Sequence, residues 1–593
     1  MILIFGGTTE GRMAVDVCEQ AGKTFYYSTL TSGQNVPLHR GIRLVGEMTA
    51  EQIQHFSRDH AIRLVVDASH PFAEGLHQNI AASGLPVIRV QRNHLSGVGD
   101  VVWCSDYADA VQRLEEFSPR CLLALTGVHT IRRLKPFWQS HSTWFRVLPR
   151  EESRSEALAS GFPVDRLLYY STDGTLPTVQ QERELMIRTD CDAMVTKESG
   201  ESGGLLEKVA AATSLGVKVF VVKAPDYMSY FNRPDDVVCV DGRHTLRRAI
   251  ETRLPDFFPL RTGLTTGTCA TAAAKAAMLL LLGEGTDEVC VSLPDGESAR
   301  VAVEALSLGV EPGGRPYAEA SVVKDFSDDP DVTRGCRISA RVSLEEQKGV
   351  RFLPGEGVGI VTLPGLGVAV GEPAVNPVPR QTIAAELRNL TDSGVAVTIS
   401  VQGGRQLAER TFNSRVGVVG GISIIGTSGI VSPLSNEAFV ESIGRELVVA
   451  RAIGCKEIGL ASGKRGEEAL IRQEPLLRVI HYGNFVGESL QKAHQLGFRR
   501  VVIGIMIGKA VKLAEGNLDT HSHKVVMNRD FVGRVAESAG VENARQVVDG
   551  INMARELWEV MPPAFFEEIR RLCHSHCRKV FPSGELVIRI FES

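Results

Sequence analysis

Short apolar runs at residues 2–5, 64–66, 87–90, 122–125, 167–170, 193–196 and 217–222 punctuate the first 250 residues, with helical stretches at 9–20, 50–58 and 203–215 between several of them. Brief apolar runs bounded by turn-forming residues predict buried strands, and the 3.6-residue rhythm between them predicts helices. This half therefore reads as parallel βαβ units. A change of style near Pro119 predicts two Rossmann-like α/β lobes with a ligand cleft between them. Two prolines in 253–260 predict a short linker. Beyond it, residues 289–293, 299–304, 318–323, 358–363, 395–401 and 417–425 predict a mixed α+β lobe. From Ala438 onward helices alternate again with strands, at 457–461 and 501–507, which predicts a final α/β lobe. The expected organisation is an α/β multidomain chain with one half over 1–252, a linker over 253–260 and a second half over 261–593.

Composition narrows the function classes. A chain of 593 residues exceeds one ordinary core. Its 43% hydrophobic and 23% charged residues suit globular domains, and a net charge of −5 supplies no global attraction to nucleic acid or an anionic membrane. No secretory leader is expected before the first strand, and the longest apolar stretch, 270–282, is interrupted by Lys275. Eleven scattered cysteines fit a reducing cytoplasmic setting. Cys573-His574-Ser575-His576-Cys577 has soft and imidazole ligands on one helix, but a tetrahedron needs partners from elsewhere, so no metal site is expected. His521 and His523 read as part of a hydrogen-bonding loop.

Two segments carry chemistry. Gly6-Gly7-Thr8-Thr9-Glu10-Gly11-Arg12 follows the first strand and opens a helix. Such a turn brings backbone amides and the positive end of the helix dipole to a dinucleotide phosphate. Thr8 stands where G-x-G-x-x-G has its middle glycine. Residues 25–30, where an acid would bind the ribose of NAD, hold no carboxylate, which favours NADP. The second segment, Thr265-Thr266-Gly267-Thr268, precedes an Ala-rich helix, where unpaired amides and hydroxyls suit carboxylate or phosphate groups. A plain threonine cap on a buried helix is the competing reading.

Residues 258–590 resemble the cobalt-precorrin-5B C-1 methyltransferases. The matching runs are the threonine segment, Lys324-Asp325, Asp328 to Thr333, Gly355 to Gly359, Asn376 to Arg380, Gly420 to Gly429, Gly508-Lys509, Lys512-Leu513-Ala514 and Thr520-His521-Ser522. Residues 1–250 resemble the NADPH-dependent precorrin-6A reductases through Gly6 to Arg12, Asp67 to Ala73, Thr126-Gly127, Arg146 to Pro149, Val195 to Gly200 and Gly203-Gly204. Tyr170 to Gly174 departs from the second pattern.

These resemblances imply a bifunctional enzyme of corrin-ring synthesis. One half would methylate cobalt-precorrin-5B with S-adenosylmethionine, and the other would reduce the resulting cobalt-precorrin-6A with NADPH, the cobalt being carried by the tetrapyrrole. The NADPH site is expected at Gly6, Gly7, Thr8, Thr9, Gly11, Arg12, Ser199 and Gly200, with His70 or Lys197 as proton donor. Thr265, Thr266, Gly267, Thr268, Gly421, Ser423, Thr427, Ser428, Lys509 and His521 are expected to bind adenosylmethionine or the macrocycle. A homo-oligomer is compatible with these readings. Two others compete: an NADP-sensing regulatory module fused to a methyltransferase, and an oxidoreductase acting on a small carbonyl compound. The chain has no Tyr-x-x-x-Lys pair, and Gly22-Lys23-Thr24 lacks the earlier glycine of a P-loop.

Overall fold

The computed structural model describes residues 1–31, 36–91, 99–171, 177–198, 203–325, 327–433, 436–521 and 526–592, with the backbone only at Pro234. The chain divides into two compact units, Met1–Pro259 and Leu260–Ser593. It is a mixed α/β chain with parallel sheets in its N-terminal half.

The first unit contains twelve strands: β1 (Ile2–Phe5), β2 (Phe25–Thr29), β3 (Gly41–Val45), β4 (Leu64–Asp67), β5 (Val87–Val90), β6 (Val102–Cys104), β7 (Leu122–Leu125), β8 (Thr143–Val147), β9 (Leu167–Tyr169), β10 (Ala193–Lys197), β11 (Lys218–Val222) and β12 (Val237–Val240). They form two sheets, ordered β12-β5-β4-β1-β2-β3 and β6-β11-β10-β7-β8-β9, and every pairing is parallel. Parallel pairing requires a crossover between strands, so helices cover the sheets and the central strands are apolar on both faces. All four residues of β1, β4, β5 and β7 are buried.

The break between the sheets differs from the expected position near Pro119. β6 already belongs to the second sheet, and β12 returns to the first by pairing Val237 to Val240 with Val87 to Val90. The segment read as a linker also packs inward. Leu254, Phe257 and Phe258 are buried in the core of the first sheet.

In the second unit, β13 (Gly263–Leu264) leads into the helix Thr266–Leu281. β14 (Glu288–Ser292) and β15 (Ser298–Ala302) form a hairpin. β16 (Ala305–Val310), β17 (Pro316–Val323), β18 (Arg337–Glu345), β19 (Val350–Leu353) and, after the short β20 (Ile360–Val361), β21 (Gly394–Val401) build a sheet ordered β16-β17-β18-β21-β19. The Ala-rich helix lies against β17 and β18. Alanine lets helix and sheet approach closely without loss of rotamer freedom, and residues 266–274 are all buried. Lys275, the charge in that apolar run, donates to Glu386 Oε2 at 2.7 Å and to the Cys290 carbonyl at 2.6 Å. After the two-residue strands β22 (Val418–Val419) and β23 (Ile430–Val431), a four-stranded parallel sheet has the order β25-β24-β26-β27. Its strands are β24 (Glu457–Ala461), β25 (Val479–His481), β26 (Arg500–Met506) and β27 (Glu585–Phe591). The strands expected over 358–363 and 417–425 shrink to two-residue pairings, because close glycine contacts take the place of a regular ladder there.

Candidate active sites in the two units

In the first unit the glycine turn joins β1 to the helix Thr9–Glu19. Gly7 has φ +98°, a conformation that favours glycine. A Cβ on Gly6 would stand 2.3 Å from the Tyr27 ring, and one on Gly11 would stand 2.9 Å from the Gly6 Cα. Both glycines therefore set how closely helix, turn and β2 can pack. Thr8 caps the helix: its hydroxyl accepts from the Gly11 amide at 3.0 Å and donates to the Ala68 carbonyl at 2.7 Å. The hydroxyl is thus committed to the protein, and Thr8 ties the turn to the end of β4. Gly7, Thr9 and Arg12 are exposed at the helix start. Ser199 and Gly200 lie outside the described residues.

The β4 end carries a buried polar network. Arg89 meets Asp67 at 3.0 Å, while Ser69 Oγ donates to Asp67 at 2.6 Å and lies 3.1 Å from His77 Nε2. Burial alone would raise the Asp67 carboxyl, but Arg89, His77 and Ser69 hold it below its ordinary value. Burial drives His77 down to about 4. The network fixes the loop that presents His70 and Phe72.

His70 is exposed, and its Nδ1 accepts from the Phe72 amide at 3.2 Å, so the neutral ring carries its proton on Nε2. Lys197, from the end of β10 in the other sheet, places Nζ 5.1 Å from the centre of the same Phe72 ring. Burial, with a smaller contribution from the nearby Arg133 guanidinium, brings its ammonium down to about 8. The structure therefore brings both expected proton donors to one aromatic ring at the C-terminal edges of two parallel sheets, where ligands of such folds sit. Arg43 on β3, not singled out from the sequence, pairs in register with Tyr27 at the middle of β2 and donates to the Val36 carbonyl at 3.1 Å.

In the second unit the helix start at Thr265–Thr268 has the geometry of the threonine-cap reading and is covered by protein. Residues 423–429 lie across it. Gly267 donates its amide to the Ile425 carbonyl at 2.9 Å, and the Thr268 amide donates to Thr265 Oγ1 at 3.2 Å. Thr266 Oγ1 accepts from the Ile425 amide at 2.9 Å, and Thr268 Oγ1 donates to the Gly429 carbonyl at 2.7 Å. Thr265, Thr266 and Thr268 are buried, so these hydroxyls lock a strap onto the helix. Gly421 is a packing glycine, since a Cβ there would meet the Gly357 carbonyl at 2.3 Å. Ser423 Oγ reaches Asn413 at 3.4 Å.

Of the strap, Ile425, Thr427 and Ser428 are exposed. Thr427 Oγ1 reaches Glu441 at 3.3 Å, on the helix Asn436–Ala452. Phe439 of that helix lies 5.8 Å from Phe485, in the loop after β25. Lys509 donates to the Gly483 carbonyl in this loop at 2.7 Å, and burial followed by the charge of Lys512 lowers its ammonium. Thr520 binds the Asn484 carbonyl at 3.0 Å, and the His521 amide is held by Asp519 at 3.1 Å. The strap and the Lys509 and His521 segments, far apart in sequence, thus converge on the C-terminal ends of β25 and β26 through one helix.

Sequence reasoning missed two features there. β24 runs through Ser462-Gly463 into the helix Lys464–Gln473, and it sits at the switch point of the strand order. The spacing of Gly463 and Gly466 after a predicted strand was its only signal. His481 Nε2 lies 2.7 Å from Glu467, which also pairs with Arg415. Cys573 and Cys577 are buried in the core of this sheet, and burial pushes both thiols up.

Comparison with known proteins follows the same division. A family model described as precorrin-6x reductase CbiJ/CobK matches residues 1–240, and the CbiD model matches residues 255–433. The cobalt-precorrin-5B C(1)-methyltransferase of Prosthecochloris aestuarii is 46% identical over 347 residues, covering 55% of this chain and 92% of that protein. Its counterpart in Rubrobacter xylanophilus is 43% identical over 324 residues, covering 53% and 82%. Among solved structures, the cobalamin biosynthesis protein CbiD of Archaeoglobus fulgidus is 29% identical, covers 45% of this chain and 83% of that one, and gives a TM-score of 0.24. A CobK precorrin-6A reductase is 22% identical, covers 43% and 97%, and gives 0.35. The chain belongs to the cobalt-precorrin-5B C(1)-methyltransferase family and carries a precorrin-6x reductase domain ahead of that region, which makes it a bifunctional enzyme of cobalamin biosynthesis.

Proposed function

We propose that the unit Leu260–Ser593 methylates C-1 of cobalt-precorrin-5B with S-adenosylmethionine, and that the unit Met1–Pro259 reduces the product, cobalt-precorrin-6A, to the 6B form with NADPH. The carrying observation is the pair of family matches on one chain, each falling on one unit. The enzyme works in the cytoplasm on tetrapyrrole substrates; no helix among the described residues is long and apolar enough to cross a membrane.

In the reductase the two parallel sheets act as Rossmann-like lobes. Gly6, Gly7, Thr9, Gly11 and Arg12 receive the NADPH pyrophosphate, with Thr8 shaping the turn, and Ser199 and Gly200 belong to the same cofactor set. Arg43, opposite Tyr27 of β2, is suited to the 2′-phosphate. When bound, NADPH would supply a hydride to a ring carbon, and Lys197 or His70 would supply the accompanying proton. Support comes from the shared Phe72 ring and from a Lys197 ammonium near 8, which can release its proton at ordinary pH.

Methyl transfer requires alignment of the sulfonium methyl with a ring carbon more than acid–base chemistry. Thr427, Ser428, Lys509 and His521 bind adenosylmethionine or the macrocycle at the edge of the four-stranded sheet. Thr265, Thr266, Gly267, Thr268, Gly421 and Ser423 hold that wall in place. The test is incubation of the full chain with cobalt-precorrin-5B, adenosylmethionine and NADPH, followed by mass measurement. The expected result is gain of one methylene, then of two hydrogens. Absence of the first gain overturns the methyltransferase assignment, and methylation without reduction of supplied cobalt-precorrin-6A overturns the reductase assignment.

A further inference from the structure

At the far end of the second sheet from β6, a cavity of about 380 Å³ opens where β8 and β9 end against the helix Val179–Thr189. Arg146, Tyr169, Tyr170, Gln181 and Arg188 line it, and Glu184, the acid on its wall, accepts from Gln180 at 2.9 Å. Arg146 is the unusual member. It projects from inside a strand, its side chain is only 5% exposed, and its guanidinium lies 4.2 Å from the centre of the Tyr170 ring. Its Nη2 donates to Glu182 at 2.7 Å, while its Nε is buried without a partner among the described residues.

Arginine offers five donors in a planar fork that matches a carboxylate. Glu182 engages one end of that fork, and the buried cation Lys208 lies close enough to interact with both Arg146 and Glu182. Lys208 donates to the Gly203 carbonyl at 2.6 Å and Glu182 Oε2 is also buried without a partner among the described residues, so two cations stand against one carboxylate beside the cavity. A buried donor without a partner is what an incoming acceptor would satisfy.

We infer that this cavity receives a peripheral carboxylate of the tetrapyrrole, through Arg146 and Arg188 with Tyr170 as a wall. The inference rests on the reductase reading and adds where the substrate is held. Along the sheet order β10-β7-β8-β9, the cavity stands two to three strands from Lys197. At about 4.8 Å per strand this is roughly 10–15 Å, a span that a macrocycle bearing extended carboxylate arms can bridge. The volume has ample room for a carboxylate arm, so the site would act as an anchor that fixes which face and which edge of the ring reach the hydride.

The test uses the full chain with uroporphyrin, an octacarboxylate porphyrin, and its octamethyl ester as the uncharged control, binding being read from the porphyrin absorbance. Wild type should bind the acid and not the ester. Arg146→Lys, which retains a cation for Glu182, should weaken acid binding about tenfold or more, and the exposed substitution Arg188→Gln severalfold, with NADPH affinity unchanged in both. In turnover the same variants should raise KM for cobalt-precorrin-6A and leave methylation intact. Equal binding of acid and ester, or unchanged acid binding in both variants, overturns the anchor. Loss of NADPH affinity in their place would assign the pocket to a cofactor phosphate and also overturn it. Failure of the wild type to turn over NADPH, with porphyrin binding as expected, would count against the reductase reading alone.

Discussion

Replacing Phe72 by alanine should move the alkaline limit of reductase activity upward. Phe72 covers Lys197, whose ammonium falls from an ordinary 10.5 to about 8, with burial as the larger cause and Arg133 as the smaller. At 1.36 kcal/mol per pH unit, that fall disfavours the charged form by roughly 3 kcal/mol. If Lys197 donates the proton, the active form is protonated and kcat should decline above about pH 8. Removing the ring admits water, reduces the burial term and should carry the decline at least one pH unit higher, towards 10.5. The stability effect has the opposite sense. A lysine lowered on folding favours the folded state fully only above its unfolded value, and that contribution disappears as pH falls through about 8. Wild type should therefore gain stability between pH 8 and 10.5, and Phe72→Ala should gain less over that interval. The assay is the initial rate of NADPH oxidation with cobalt-precorrin-6A across pH, beside thermal unfolding at the same pH values. An alkaline limit that stays near pH 8 in Phe72→Ala, or full activity in Lys197→Met, would refute the reasoning.

Gly11→Val should raise the NADPH dissociation constant at least tenfold and spare methylation, as read by cofactor fluorescence titration, because its Cβ meets the Gly6 backbone at 2.9 Å. Arg43→Ala should erode the preference for NADPH over NADH severalfold, and an unchanged preference would place the 2′-phosphate elsewhere. Thr266→Val with Thr268→Val should destabilise the second unit by about 2–4 kcal/mol, since each hydroxyl serves a buried backbone group of the strap. The same double variant should abolish methylation while reduction of supplied cobalt-precorrin-6A continues. With both steps running, an added inactive reductase should capture little intermediate if the tether favours local transfer, whereas complete capture would show free release.

The reductase turn was legible in the sequence because strand, glycine spacing and helix are local. Its cap was less so: Thr8 looks like a defect in the motif until its bond to Ala68, sixty residues away, is known. β2 was not read as a strand, since Phe-Tyr-Tyr-Ser-Thr is neither aliphatic nor alternating, though all five residues are buried. β8 carries Arg146 in its interior, which breaks an apolar run. At Thr265–Thr268 the local pattern supported two readings. Only the non-local placement of residues 423–429 shows that the hydroxyls face protein. Lys509 and His521 were identified through family wording, and the helix bearing Phe439 and Glu441, which gathers them with Thr427, has no local signature.

The return of β12 to the first sheet makes residues 102–222 a nested insertion rather than a successor. The helix Arg243–Arg253 with Phe257 and Phe258 then anchors the chain on the first sheet before Leu260. The C-terminal unit is therefore joined to the chain through the sheet that carries the glycine turn. The sheet carrying Lys197 and Arg146 has no direct covalent link to that unit.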